Sequence, residues 1–191
     1  MEAYELLTGV GEMFIAPAGE AKPALGSTPG GNWVSLGVTD GGVKITKTQT
    51  IEKHRVDQRV GIVKAHRTEE GQTVETSLAQ ATLENYVNVV GGSVTDTPPG
   101  VGTIGVRAVK NYRGKVVEEF ALLFRGDSPY GANFVGQYYV PRGFMDDDVE
   151  TEYQKEGKTL IPVKFEAMED LSAVDAEDRF GQYDYQDAAA L

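Results

Sequence analysis

The sequence predicts a mainly β protein: an antiparallel β-sandwich or partly closed barrel, with one flanking α-helix and a long projecting β-loop arm. Three observations predict it. The 23 glycines among 191 residues fall between short apolar runs, which is the punctuation of strands and tight turns. From Val43 to Ile51 the chain alternates, with Val43, Ile45, Lys47, Gln49 and Ile51 on one face and Lys44, Thr46, Thr48 and Thr50 on the other. That is the period of a half-buried antiparallel strand. Only the stretch of about 77–90 shows helical spacing, with Ala79, Leu83, Tyr86 or Val87, and Val90 recurring.

Each element has its own signal. GEMFIAPA (11–18) reads as a first strand, followed by a Pro/Gly-rich loop, GEAKPALGSTPGGN. A short strand begins at Trp33, turns at Asp40-Gly41-Gly42 and enters the threonine-rich strand. After a polar arm, QTVETSL (72–78) alternates again. The helix follows, with Ser77 and Gln80 spaced as a capping box and Gly91-Gly92 as its stop. IGVRAVKNYRGKVVEEFALLF (104–124) predicts two strands around a turn at Asn111 to Gly114. FVGQYYV (134–140) predicts a strand interrupted at Pro141 and Gly143. The residues from Met145 to Asp170 predict a hairpin turning at Glu156-Gly157. In its second arm Ile161, Val163, Phe165 and Ala167 share one face, and Pro162 marks an edge or a bulge. The organisation expected is one β domain over 1–170, containing the arm at 51–68, and an acidic C-terminal extension over 171–191 that wraps a neighbour or stays unstructured.

Composition excludes several functions. No cysteine is present, so disulfides, thiolate metal centres and cysteine nucleophiles are out. No run approaches the roughly 18 apolar residues of a membrane span. The start, MEAYELLTGVGEMF, lacks the basic region and apolar stretch of a secretory leader. The net charge of −11 opposes nucleic-acid binding, but it is unevenly spread. Lys44 to Arg67 carries seven basic and two acidic residues, or +5, leaving 11 basic and 27 acidic residues, or −16, elsewhere.

Catalytic and cofactor motifs are absent. Ser128 lies in GDSPYG, without the second glycine of a nucleophile elbow. Gly100 to Gly105 has the spacing G-x-G-x-x-G but precedes a strand instead of opening a helix. His54, Asp57 and His66 match no zinc spacing and are flanked by Lys53, Arg55, Lys64 and Arg67, so interface or solvated histidines are expected there and no metal. Asp146, Asp147 and Asp148 lack the glycine and distal glutamate of a calcium loop. The expectation is no enzyme, no cofactor and no metal site.

The arm itself points to protein contacts. A strand that leaves its own domain exposes backbone groups that water or another chain must satisfy. Val56, Val60 and Ile62 are its apolar points, and cations fill most of the rest. Such an element suits pairing with a neighbouring copy and its carboxylates, in contacts that close as rings or continue as filaments.

The ordered series WVSLGVTDGGVKITKTQ, a charged arm containing DQ, HRTEEGQTVETSLAQATLENYVNVVGG and TLIPVKFEAMED resembles the major tail tube proteins of long-tailed bacteriophages. The resemblance runs from about Gly9 to Asp170. It implies a structural virion protein of the tail, made and assembled in the host cytoplasm. Copies would self-assemble as hexameric rings stacked into a hollow tube for DNA ejection. Its partners would be other copies, the tape measure protein and tail-end proteins, with viral DNA passing without specific binding and no membrane involved. Lys53, His54, Arg55, Asp57, Arg59, Lys64, His66 and Arg67 would then make inter-subunit contacts through the arm. Asp146, Asp147, Asp148, Glu150 and Glu152 would be acidic partners or lumen residues. Two alternatives stand beside it: a related ring protein, such as a tail terminator or the tube of a contractile device, and a carbohydrate- or host-surface-binding β-sandwich. The latter would use Tyr138, Tyr139 and Phe144.

Overall fold

A computed structural model describes residues 11–131, 133–146, 148–150 and 157–189. The chain is mainly β, with 48% strand and 6% helix among the described residues, and its sheets are antiparallel. The strands are β1 (Glu12–Pro17), β2 (Val34–Ser35), β3 (Thr39–Arg55), β4 (Ile62–Leu78), β5 (Val94–Thr97), β6 (Val106–Val109), β7 (Phe120–Asp127), β8 (Val135–Met145), β9 (Ile161–Ala167) and β10 (Gln182–Tyr185). Among the described residues there is one α-helix, α1 (Leu83–Val90). The main sheet runs β2-β1-β7-β8-β9-β4-β3, with β10 also paired to β8, while β5 and β6 form a separate pair.

The sheet curls around one core. Met13 and Ile15 from β1, Val74 and Leu78 from β4, Tyr138 from β8 and Phe165 from β9 belong to one buried cluster, as does Leu36 just after β2. Residues near both ends of the sheet thus meet, which is the sandwich-like closure expected. Hydrogen bonds from Leu36 N–H to the Met13 carbonyl (2.9 Å) and from Ala79 N–H to the Val38 carbonyl (2.8 Å) fasten it. β1 and β7 are buried on both faces, because Phe14, Ala16, Ala121 and Leu123 form a second cluster with Trp33. The Pro/Gly loop covers that cluster and is pinned from below. Tyr139 donates to the Glu20 carbonyl at 2.7 Å, Trp33 Nε1 to Ala21 at 3.2 Å, and Arg125 to the carbonyls of Ala24 and Ser27.

Several local readings are corrected by pairing across the sheet. Gly41-Gly42 is a bulge within a continuous β3, not a turn: Asp40 opposes Ser77 and Lys44 opposes Glu75. Both glycines hold φ near 80°, a region that costs a residue with a Cβ. The helix begins at Leu83, not near Ser77, because Ser77 and Leu78 are paired with Pro162 and Ile161 of β9. Thr82 is the N-cap, accepting from Asn85 N–H at 3.2 Å, and Gly91 ends the helix as expected. β6 and β7 do not form a hairpin; β6 pairs with β5, and β7 with β1 and β8. β8 runs on through Pro141 and Gly143, since a register shift opposite Ala121 leaves Pro141 without a ladder donor to supply. The extension after Asp170 contains a strand, β10, that pairs with β8 of its own chain.

β9 behaves as its pattern predicts: Ile161, Val163 and Phe165 are buried, and Pro162 lies where β9 has β4 on one side and no paired β8 residue on the other. Glu156, on one side of the expected turn, is outside the described residues. Gly143 is packed tightly beside β9, so a Cβ there would overlap the Glu166 carbonyl and the Phe165 ring. Gly143→Ala is therefore expected to destabilise the subunit by about 1–3 kcal/mol through overpacking, measured by chemical denaturation. An unchanged midpoint would show that β8 and β9 are less closely apposed.

Candidate assembly surface: the projecting ribbon

The basic arm is a two-stranded ribbon formed by the distal halves of β3 and β4. Every residue from Lys47 to Glu70 is exposed. β9 pairs with β4 only from Thr73 onward, so beyond that point the two strands have only each other. Lys47 to Arg55 spans about 30 Å at roughly 3.3 Å per residue. The inner edges satisfy one another, from Ile51 opposite Arg67 to Arg55 opposite Ile62. Shifts in register after Thr50 and after His54 add local twist. The two outer edges keep free donors and acceptors, the feature that invites strand addition.

The charges divide along the ribbon. Lys44 pairs with Glu75 at 2.9 Å near the sheet, and Arg67 pairs with Glu70. Lys53, Arg55, Arg59 and Lys64 make no ion pair with a described residue. Asp57 stands in the turn at the tip. His54 and His66 stack with ring centroids 4.9 Å apart, and His66 Nε2 lies 3.3 Å from Glu52 Oε2. Sequence reasoning grouped Asp57 with the histidines and missed Glu52. The hairpin register, which places Glu52 directly opposite His66, is the signal that would have found it.

The acidic candidates lie elsewhere. Asp146, Asp148 and Glu150 are exposed, whereas Asp147 and Glu152 are outside the described residues. Asp146 accepts from Lys164 at 2.9 Å, and this hydrogen bond and charge lower its pKa. Tyr138 is buried and Tyr139 is packed edge-on against Trp33, so the strand expected to offer a carbohydrate platform spends both rings internally. Other exposed apolar residues, including Val101, Ile104, Val116 and Val117, cluster in the β5–β6 region and the segment leading to β7.

Titration bounds the pH range of the fold. Ser172 hydrogen bonds hold Asp170 below the usual carboxylate range, opposed by its burial and aided by Arg142. Asp184 is raised by burial, but its hydrogen bonds and charge contacts with Lys22, Gln137 and Gln182 outweigh this and leave it lowered. These groups favour the fold above pH about 4, and their contribution is lost as pH falls through their depressed folded values. Burial pushes Tyr139 up to about 12 from 10.0, with Asp170, Glu20 and Asp178 adding to it. Between those values the unfolded tyrosine is ionised and the folded one is not, so stability falls with rising pH by about 1.4 kcal/mol per pH unit for such a group. Thermal melts should therefore show a plateau bounded by losses below pH about 4 and above pH about 10. A Tm still rising above pH 10 would contradict these assignments.

The described residues thus form a curled antiparallel sheet from which a cationic two-stranded ribbon projects. The chain belongs to the phage tail tube protein family: the sequence model described as Phage tail tube protein matches residues 3–180. No curated protein matches the chain. Membership makes it a structural component of the virion tail that assembles with itself into a tube. Such a family is non-enzymatic in general. Among the described residues no helix is long and apolar enough to cross a membrane.

Proposed function

We propose that the subunits close into hexameric rings and that the rings stack through the ribbon into a hollow conduit for DNA ejection. One observation carries this reading: the ribbon projects with unsatisfied outer edges and with Arg55, Arg59 and Lys64 lacking an ion-pair partner among the described residues. A neighbouring copy supplies both remedies, its sheet edge for the backbone and its carboxylates for the cations. Asp146 to Asp148, Glu150 and Glu152 are the acidic stretch proposed to meet the ribbon or to line the lumen. A lumen of net negative potential lets DNA slide, because a positive wall would hold it. The tape measure protein and tail-end proteins are the further partners proposed, with assembly in the host cytoplasm.

Negative-stain microscopy of the concentrated protein tests this. Long hollow tubes are expected; single rings would instead favour a terminator-like cap. A second reading, carbohydrate binding, draws on a groove of about 600 Å³ whose lining includes Phe124, Tyr183 and Tyr185. Glycan binding by the unassembled subunit would favour that reading.

A further inference from the structure

Glu52, His54 and His66 come together on one face of the ribbon. Glu52 and His54 are two residues apart on β3, so their side chains project to the same side. His66 faces Glu52 across the ladder. His54 Nε2 lies 3.0 Å from His66 Nδ1, and one donor atom from each of the three residues falls within 4.8 Å of the others. We propose that this face is a binding site for a borderline-soft divalent cation of the Zn²⁺, Ni²⁺ or Cu²⁺ class.

The donor set matches that class. Two imidazoles and one carboxylate suit Zn²⁺ and its neighbours in the first transition row, whereas Mg²⁺ and Ca²⁺ take oxygen ligands. Zn–N bonds of about 2.0–2.1 Å in a tetrahedron put donors roughly 3.3 Å apart. An ion takes one nitrogen of His66, whose Nδ1 lies 3.0 Å from His54 Nε2 and whose Nε2 lies 3.3 Å from Glu52; with one donor from each residue the three lie within 4.8 Å of one another, and side-chain rotation closes them to that spacing. The rings are nearly parallel, 11° apart, so their lone pairs converge only after side-chain rotation, which exposed residues undergo freely. Without metal, one neutral ring donates its N–H to the bare nitrogen of the other; a bound cation selects the tautomers that turn a bare nitrogen of each ring toward it and keep each ring's proton on its other nitrogen. The local cations do not forbid the site. Lys53 and Arg67 fall on the opposite face of the ribbon by alternation, and Glu52 offsets Lys64, which shares the face opposite His54. All three ligands come from one chain, so the site stands whether or not subunits assemble.

The test is calorimetric titration of Zn²⁺ into the full chain, prepared without a polyhistidine tag and kept dilute at neutral pH. One ion per chain is expected, undisturbed by excess Mg²⁺. His54→Ala or His66→Ala should each weaken binding by at least about tenfold, since even loss of a residue that merely supports a ligand costs about 10–100-fold. Asp57→Asn, at the ribbon tip, should leave binding unchanged, and circular dichroism should show every variant folded. Three outcomes would overturn the proposal: no heat of binding, competition by Mg²⁺ at equal affinity, or binding that survives the double variant His54→Ala, His66→Ala.

Discussion

Arg59→Glu combined with Lys64→Glu is expected to leave the subunit folded and to abolish tube growth. Both side chains are exposed, and neither makes an ion pair with a described residue. Substitutions away from packed or paired groups usually change stability by no more than about 0.5 kcal/mol, so the melting curve should be nearly unmoved. The contact surface changes far more. Two reversals take the segment from Lys44 to Arg67 from +5 to +1, and they place carboxylates where a neighbour's carboxylates are proposed to lie. Like charges brought together at a desolvated contact are strongly unfavourable, and every subunit would repeat the conflict at each proposed ring junction. Microscopy of the variant should show dispersed subunits or isolated rings. Normal tubes would place the ribbon outside the contact.

Phe165→Ala is the largest stability effect expected. Phe165 is fully buried and stands where three strands meet, opposite Val74 of β4 and Met145 of β8. Its ring also lies against Gly143. Truncation removes the ring and leaves a cavity that the paired backbones cannot close, for a loss of about 3–5 kcal/mol. A domain of this size loses about 2–4 °C per kcal/mol, so Tm should fall by roughly 6–20 °C. Assembly would mask part of the loss by mass action, so the measurement belongs in the Arg59→Glu, Lys64→Glu background. A shift below about 2 °C would mean the core repacks around the gap.

What the sequence disclosed follows from which interactions are local. Strand β9 was legible because alternation reports burial directly: Ile161, Val163 and Phe165 point inward as their spacing requires, whereas β1 was legible as a short apolar run, buried on both faces. The ribbon was legible as a polar run of strand-forming residues that no core could accept. Pairing was not legible. VRAV and FALLF look like two arms of one hairpin, yet each finds its partner elsewhere, and no local pattern encodes that choice. Ser77 has the chemistry of a helix cap, but pairing with β9 outweighs it. The tyrosines of β10 looked like scattered aromatics in an acidic tail; Tyr183 packs on Tyr138 with ring centroids 4.4 Å apart and planes tilted by 35°. Glu52 became part of the histidine cluster only through a register that a bulge after Thr50 helps to set.

The most direct measurement uses the absence of cysteine from the chain. Val60, at the ribbon tip, is fully exposed in the subunit, so Val60→Cys introduces a single reactive thiol without touching the core. Its rate of modification by a maleimide should be that of a free thiol in dilute subunits and should drop sharply once tubes have formed. Equal rates in subunits and tubes, or a protein that stays unassembled at every concentration, would contradict a ribbon covered by the next copy.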